Sequence, residues 1–520
     1  MNMRFRSLAA VAAVGIVLNG LTGLAAGTAQ AAPAATVRIR VVGVSRDGHQ
    51  VPVYATIFSL NFYPVFAANG RAVTVDRGLH WIGASVPTLE NGLAASQTLV
   101  LRQVMITRSE TVRLDARGGA PVRFSLAAPG AIDTQDTVVA CVGGKFVGGT
   151  GVQADGQPGT VYAVPVRDRA LTFGYGSEWT GPAAGYSIAG QRSGGIPARP
   201  RYHLSPAGMA RLTLSMRDGT AAGGYNNPLL TPAGSCGVVE GLGLNPANGL
   251  TVTQYVSPGT WTIELNGFRG TWGRTLRMAS GHRYAATFGA AVWGPGNEAP
   301  REGGGTISYY PQDPFADPAQ PNGFECCDKS SITLLLGRHV IKHEVLSEWR
   351  ASRDFTARAP SAGWYTLRFR AWRWTPGLTI PAGLLSRSET VAWRFYAAPR
   401  SIPAGYDREL PAYVVRVRAG GLNIRNQAPA SGVTPLAIDI VRTHDPGNPP
   451  APVYRITALR MQASSDGGKT WQPLRVVRRG SLWMAVVHDP ASGFVALRAF
   501  AKDAKGDSVA QTIYRAYAVG

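Results

Sequence analysis

The stretch TVRIRVV, residues 36–42, shows the pattern that decides the fold class of this chain. Val37, Ile39 and Val41 point to one side of an extended backbone, and Arg38 and Arg40 point to the other. Alternation with a period of two is typical of a strand with one buried face. The stretch therefore predicts a β-strand whose solvent side carries arginine.

Similar short runs recur along the 520-residue chain, separated by turn residues that include many of its 63 Gly and 36 Pro. After the first residues, no amphipathic helical pattern of convincing length interrupts them. This spacing predicts an all-β protein of tandem β-sandwich domains.

The first 31 residues predict a secretory signal peptide. Arg4 and Arg6 precede an apolar run over residues 8–18, and Ala29-Gln30-Ala31 suits cleavage after Ala31. No later stretch reaches the roughly 20 uninterrupted apolar residues of a spanning helix. We expect a secreted protein, extracellular or associated with the cell wall, without a membrane span.

Charge indicates the class of partner. Removing Arg4 and Arg6 with the signal lowers the formal charge from +21 to +19, because the first 31 residues contain no acid. A strongly basic exported chain suits acidic polysaccharides of a cell wall. We expect a cell-wall or extracellular polysaccharide, or a protein, as partner, and no nucleic acid.

Composition divides the mature chain into four predicted units. Residues 32–118 contain NGRAVTVDRGLHWIGASV (69–86), which resembles a segment of prealbumin-like sandwiches. Residues 119–300 predict a larger Gly-rich β-domain, and 301–400 a β-sandwich with a Pro- and Asp-rich loop. Residues 401–520 have the strand spacing of an immunoglobulin-like or fibronectin III-like sandwich.

Several motifs near the C-terminus carry a further resemblance. RSETVAWRFYAAP (387–399), SSDGGKTW (464–471), GFVALRAFAKDAKGD (493–507) and QTIYRAYAVG (511–520) occur in that order. Together they resemble the non-catalytic C-terminal β-sandwich region of large secreted bacterial subtilisin-like serine peptidases. The Asp, His and Ser contexts of the peptidase domain itself do not occur in the sequence.

Four cysteines in an exported chain favour two disulfides, for which three pairings exist. We expect Cys141 and Cys236 each to bond one member of the vicinal pair Cys326–Cys327, because a vicinal bond closes a strained ring. This pairing would pin the Pro- and Asp-rich loop. A zinc site is the weaker alternative, since no C-x-x-C spacing is present.

The segment ASSDGGKTWQ (463–472) fits the Asp-box pattern of sialidase-type propellers at Ser464, Asp466, Gly468, Thr470 and Trp471. A propeller would repeat this box in every blade, and only one copy occurs. Asp466 can accept hydrogen bonds from loop amides, and glycine permits positive φ. We interpret the box as a structural turn.

Other motifs with catalytic or metal-binding residue types have structural explanations. Ser187 lacks the setting of a nucleophile elbow. His339 and His343 precede Glu344 in an alternating, strand-like run, where residues four apart cannot share one zinc ion. A calcium site is an alternative for a set of oxygen donors, although turn-forming dipeptides explain most of them: Asp313, Asp317, Asn322, Glu325 and Asp328. No catalytic residue, metal or cofactor is predicted.

The stretch LRFRAWRW (367–374) is the candidate binding site. As a strand it places Arg368, Arg370, Trp372 and Trp374 on one face, where they suit a sugar ring or an anionic polymer. The alternative is that the arginines stack on tryptophan at a seam between domains. We expect a non-catalytic binding or structural protein, with an accessory module or unrecognised enzyme acting beside an exported peptidase or glycoside hydrolase as the alternative.

Overall fold

The structure is a computed structural model that describes seventeen stretches of the chain. These are residues 36–59, 64–68, 70–90, 93–153, 160–217, 229–233, 236, 240–241, 251–267, 270–311, 314–320, 324–325, 329–346, 355–373, 383–403, 405–445 and 452–520. Apart from two 3-10 turns, Pro206–Gly208 and Pro399–Ser401, their regular structure is β, so the predicted all-β fold class is confirmed. Across these stretches no helix has the length and apolarity to cross a bilayer. The predicted signal segment lies outside them.

The first strands form two sheets around one core. In chain order they are β1 (Thr36–Val44), β2 (Gln50–Val51), β3 (Tyr54–Phe58), β4 (Val65–Ala68), β5 (Ala72–Asp76), β6 (Gly78–Glu90), β7 (Leu93–Ile106), β8 (Glu110–Asp115) and β9 (Ala120–Pro121). β1 lies between β5, antiparallel to it, and β8, parallel to it. Val37, Ile39 and Val41 are buried and Arg38 and Arg40 are exposed, as the alternation predicts.

The next strands form a seven-stranded sheet, a two-stranded sheet and most of a five-stranded one. They are β10 (Arg123–Leu126), β11 (Ile132–Val142), β12 (Lys145–Gln153), β13 (Thr160–Ala163), β14 (Leu171–Thr180), β15 (Gly185–Ser193), β16 (Arg201–Leu204), β17 (Ala210–Met216), β18 (Leu229–Pro232), β19 (Glu240–Gly241), β20 (Thr251–Val256), β21 (Gly259–Gly267), β22 (Gly270–Met278) and β23 (Arg283–Phe288). The larger sheet has the order β12-β11-β14-β15-β20-β17-β23. β13 pairs with β7, so the second predicted unit adds a strand to a sheet of the first.

The predicted disulfide pairing is wrong. Cys141, on β11, is bonded to Cys236, with Cα atoms 5.6 Å apart. Thr172 of β14 lies opposite Cys141 in the sheet, and the Cys236 sulfur lies 3.9 Å from its carbonyl oxygen. The chain after β18 therefore passes directly over Cys141. Cys326 and Cys327 lie outside the described residues.

The remaining strands build the C-terminal part. They are β24 (Arg301–Gly303), β25 (Thr306–Tyr309), β26 (Phe324–Glu325), β27 (Lys329–Leu336), β28 (His339–Leu346), β29 (Phe355–Arg358), β30 (Gly363–Trp372), β31 (Ser388–Ala397), β32 (Arg408–Glu409), β33 (Tyr413–Ala419), β34 (Gln427–Ala428), β35 (Val433–Arg442), β36 (Ile456–Ser464), β37 (Gln472–Leu474), β38 (Val477–Arg479), β39 (Leu482–His488), β40 (Gly493–Asp503) and β41 (Ser508–Val519). A nine-stranded sheet has the order β28-β27-β30-β31-β41-β40-β36-β37, with β34 beside β41.

This nine-stranded sheet joins the third and fourth predicted units. β31 pairs with β41 over seven residue pairs, so the predicted boundary between residues 400 and 401 does not separate two sheets. Two four-stranded sheets, β29-β25-β24-β32 and β33-β35-β39-β38, contribute to the same core. Trp393, Phe369 and Leu436 are buried in that core. One face of the nine-stranded sheet is thus apolar and covered. The side chains that alternate with the buried ones, many of them polar, lie on its other face.

The hairpin between β36 and β37 is built around the Asp466 carboxylate. It accepts hydrogen bonds from the amides of Lys469 (2.9 Å) and Thr470 (2.9 Å) and from the Thr470 hydroxyl (2.6 Å). The Ser464 hydroxyl also donates to it, and together these bonds lower the pKa of Asp466 well below its usual value. Gly468 has φ of 90°, and a Cβ there would approach Tyr514 to 2.7 Å.

A pair of carboxyl groups lies near the start of β11. Asp136 is buried and Asp133 is half-buried. Burial raises the pKa of Asp136 to about 7, with a further contribution from the charge of Asp133, whose own pKa burial raises to about 6. At these two groups the folded protein therefore holds more protons than the unfolded chain from about pH 4 to pH 7, and their contribution to stability falls as the pH rises through that range.

We predict that Asp466→Ala lowers the melting temperature of the C-terminal part, because the hairpin amides lose their acceptor. Asp466→Asn keeps one side-chain oxygen, so its melting temperature should lie between those of Asp466→Ala and the wild type. Lys469→Ala, which leaves every acceptor in place, is the control. Thermal melting followed by circular dichroism gives the four melting temperatures. Equal values for all four proteins would contradict the role of the Asp466 carboxylate as the acceptor of the hairpin.

We predict that Asp136→Asn raises the melting temperature near pH 8 by about 2 to 4 °C, the shift typical of about 1 kcal/mol in a domain of this size. The gain in melting temperature should be smaller near pH 5, because Asp133 and Asp136 of the wild type are already largely protonated there. Glu90→Gln, an exposed carboxyl on β6, is the matched control. A gain that is independent of pH would contradict the coupling to protonation.

Candidate functional site

The outer face of the nine-stranded sheet carries a groove of about 890 Å³. The inward residues Phe369, Val391 and Met461 are each at most 2 % exposed and belong to the core. Because successive side chains alternate across a strand, their neighbours must point outward. Those neighbours, on strands β27, β30, β31, β41, β40 and β36, line the groove.

Strand register places the groove residues in two rows. In the first row, Arg370 lies opposite Thr390, Thr390 opposite Thr512, and Thr512 opposite Arg498. Three strand intervals therefore separate the two arginines, about 14 Å between backbones at the usual spacing. The floor between them consists of two threonines.

The second row is wider and runs beside the first. It comprises, in order across the sheet, Arg368, Ala392, Ala510, Phe500 and Arg460. Four strand intervals separate its arginines, about 19 Å. The groove is therefore a trough with arginines on both walls, and its floor carries Thr and Ala side chains together with the ring of Phe500.

The trough has an uncompensated positive charge. Arg368, Arg370, Arg460 and Arg498 are exposed, and none of them forms an ion pair with a described residue. The described residues that line the trough include four arginines and no Asp or Glu. Like charges arranged along one concave surface raise the local concentration of anions. The arrangement is suited to binding an extended anion that contacts both walls.

Two of the four predicted binding residues line this trough, and a third lies at its end. Arg368 and Arg370 point outward from β30, between buried Leu367, Phe369 and Ala371. Trp372, half-buried at the end of β30, lies under Arg370, whose guanidinium carbon is 4.3 Å from the ring centroid. Trp374 lies outside the described residues. Arg368 and Arg370 are exposed, and the contact of Arg370 with Trp372 is of the kind that the structural alternative expects.

The opposite wall was not predicted. Arg498 lies in GFVALRAFAK (493–502) and Arg460 in ITALRMQAS (456–464), and both runs alternate like strands with one polar face. That alternation indicates an outward arginine in each strand. It does not indicate which strands become neighbours, so it could not place these arginines opposite Arg368 and Arg370.

The hairpin of Asp466 lies beside this wall. Trp471 donates its indole N–H to the Gly468 carbonyl at 3.0 Å. The guanidinium carbon of Arg498 lies 4.0 Å from the Trp471 ring centroid. The turn therefore holds an aromatic ring against a groove arginine.

The other sequence candidates do not line the trough, although His343 lies beside one of its lining residues, Thr333. The run containing His339 and His343 is strand β28, as predicted, and His343 Nδ1 lies 2.8 Å from the Thr333 hydroxyl. Glu344 forms an ion pair with Lys342 at 2.7 Å. Ser187 is buried and accepts a hydrogen bond from Gln254 at 2.8 Å.

The proposed calcium donors are described only in part. Asp317 is buried, and its carboxylate accepts hydrogen bonds from the amides of Ala319 (2.8 Å) and Ala290 (3.2 Å). Burial raises the pKa of Asp317 to about 6. Glu325 lies on β26, whereas Asp313, Asn322 and Asp328 lie outside the described residues. In the described part of the chain, no group of three His, Cys, Asp or Glu residues is placed to hold a metal ion.

Comparisons with known proteins give no family for this chain. No family model matches it, and no curated protein does. Among solved structures, Salmonella alpha-2-macroglobulin reacted with methylamine aligns with a TM-score of 0.14 and 9% identity, over 94% of this chain and 45% of that one. A mutant of the same protein gives the same values. The chain thus spans less than half the length of these structures, and a likeness of this size carries no argument about function.

Proposed function

We propose that this chain is an exported, non-catalytic binding protein that holds an anionic polymer in the arginine-lined trough of its nine-stranded sheet. The observation that carries the proposal is the set of four exposed arginines on facing walls, without an acidic side chain among the described lining residues. An isolated surface arginine would not suggest a ligand. Four exposed arginines on one concave surface do suggest an anionic ligand.

The separation of the walls favours a polymer over a single small anion. Arg370 and Arg498 are about 14 Å apart at the backbone, and Arg368 and Arg460 about 19 Å. An inorganic phosphate can contact one wall at a time. A chain with repeated charges can contact both walls, and each additional contact then adds to the affinity as an intramolecular step.

Two observations support an extracellular location within this proposal. Residues 1–31 have the composition of a secretory signal. The Cys141–Cys236 disulfide is a bond that persists in oxidising compartments outside the cytoplasm. Acidic polysaccharides of cell surfaces are polymers that an exported basic protein would meet.

We predict that the protein binds immobilised polygalacturonate or long-chain polyphosphate at low salt, and does not bind neutral dextran. Charge reversal at Arg368 and Arg370, in the double variant R368E/R370E, should weaken binding about tenfold or more. Raising the salt should weaken wild-type binding steeply, because exposed charges are screened beyond about 8 to 10 Å at physiological ionic strength.

The matched control is R38E/R40E. Arg38 and Arg40 have the same spacing and exposure on β1, in a different sheet, and the change of net charge is identical. If the trough is the site, this variant keeps most of the wild-type affinity. Equal losses in the two double variants would show that net charge alone drives binding, and absence of binding to either polyanion would refute the proposed function.

A further inference from the structure

The four trough arginines are of two kinds. Arg370 and Arg498 each lie over a tryptophan, Trp372 at 4.3 Å and Trp471 at 4.0 Å from the ring centroid. Neither Arg368 nor Arg460 lies over an aromatic ring of the described residues. Arg370 and Arg498, which lie over tryptophans, also face each other in one row of the sheet. Thr390 and Thr512 lie between them.

The two tryptophans have different surroundings. Trp372 is half-buried at the end of β30, where it pairs with Ser388 of β31. Trp471 is fixed by its hydrogen bond to Gly468, within the turn that Asp466 organises. Two separate elements of the chain therefore place an indole ring beside an arginine, one at each wall.

An indole ring changes what an arginine can do. Attraction to the ring restricts the guanidinium, so less conformational entropy is lost when a ligand binds. A guanidinium beside the ring can still donate to a ligand through its N–H groups. Two parallel N–H groups match the two oxygens of a planar carboxylate.

We infer that Arg370–Trp372 and Arg498–Trp471 form two fixed clamps for carboxylate groups, and that the ligand is an acidic polysaccharide whose uronate units lie over the threonine floor. This inference rests on the proposed function and specifies its ligand. The hydroxyl groups of Thr390 and Thr512 can exchange hydrogen bonds with sugar hydroxyls. Arg368 and Arg460 add charge, and the clamps add selectivity.

Arginine-to-lysine substitution separates the two roles, because lysine keeps the charge and loses the planar fork. The double variant R370K/R498K should bind polygalacturonate about tenfold more weakly than the wild type, with an unchanged dependence on salt. R368K/R460K, in the neighbouring row, keeps the same charge at two arginines that do not lie over a tryptophan, so it should weaken binding less than R370K/R498K. Fluorescence titration is suitable, since bound ligand would contact the arginines that cover Trp372 and Trp471.

A second pair of variants tests the rings directly. Trp372→Leu and Trp471→Leu should each weaken polygalacturonate binding, while R394K should not. Arg394 also covers a tryptophan, Trp364, at 4.1 Å, but it does not line the trough. Circular dichroism melting of each variant shows whether it is folded, so that weaker binding by a folded variant can be assigned to loss of the clamp.

The outcomes distinguish this inference from the proposed function. Equal effects of the two lysine double variants would overturn the clamps and leave a trough that binds by charge alone. Tighter binding of polyphosphate than of polygalacturonate, with the same sensitivity to R370K/R498K, would overturn the carboxylate assignment. No binding of either polymer by the wild type would remove the proposed function itself.

Discussion

The hydrogen bond from the Trp393 indole to the Tyr413 carbonyl, 2.7 Å long and fully buried, joins the two layers on which the C-terminal part of this protein depends. Trp393 belongs to β31 near the middle of the nine-stranded sheet, and Tyr413 begins β33 of the opposing layer. Gln511 adds a second link, since its side-chain amide exchanges hydrogen bonds with both backbone groups of Val415. These hydrogen bonds satisfy buried polar groups within a core that consists mainly of apolar side chains.

The apolar inner face has a direct consequence for the outer one. Each strand that commits its odd or even positions to the core must present the others to solvent, and in β30, β36 and β40 these include Arg368, Arg370, Arg460 and Arg498. The trough is therefore the reverse side of the core. Between the walls, β31 and β41 contribute Thr and Ala side chains, and Phe500 of β40 completes the floor.

The Asp466 turn has a place in this arrangement that its hydrogen bonds alone do not reveal. As a turn, it needs only its carboxylate, its glycines and its threonine. The structure adds that its tryptophan lies against Arg498 and that Gly468 lies close to Tyr514 of β41. A feature whose local role is structural can still determine how one wall of a binding surface is shaped.

Side-chain alternation is a property of each strand alone, so the sequence was sufficient to predict the all-β class and the strand character of residues 339–346. It also predicted the outward direction of the arginines on β1 and β30, which are Arg38, Arg40, Arg368 and Arg370. It did not determine the Cys141–Cys236 pairing, the continuity of one sheet across residues 400 and 401, or the meeting of Arg370 with Arg498. Each of these depends on which strands become neighbours. That choice is made by burial of apolar faces from segments far apart in the chain, such as β31 and β41, and no local pattern records the partner.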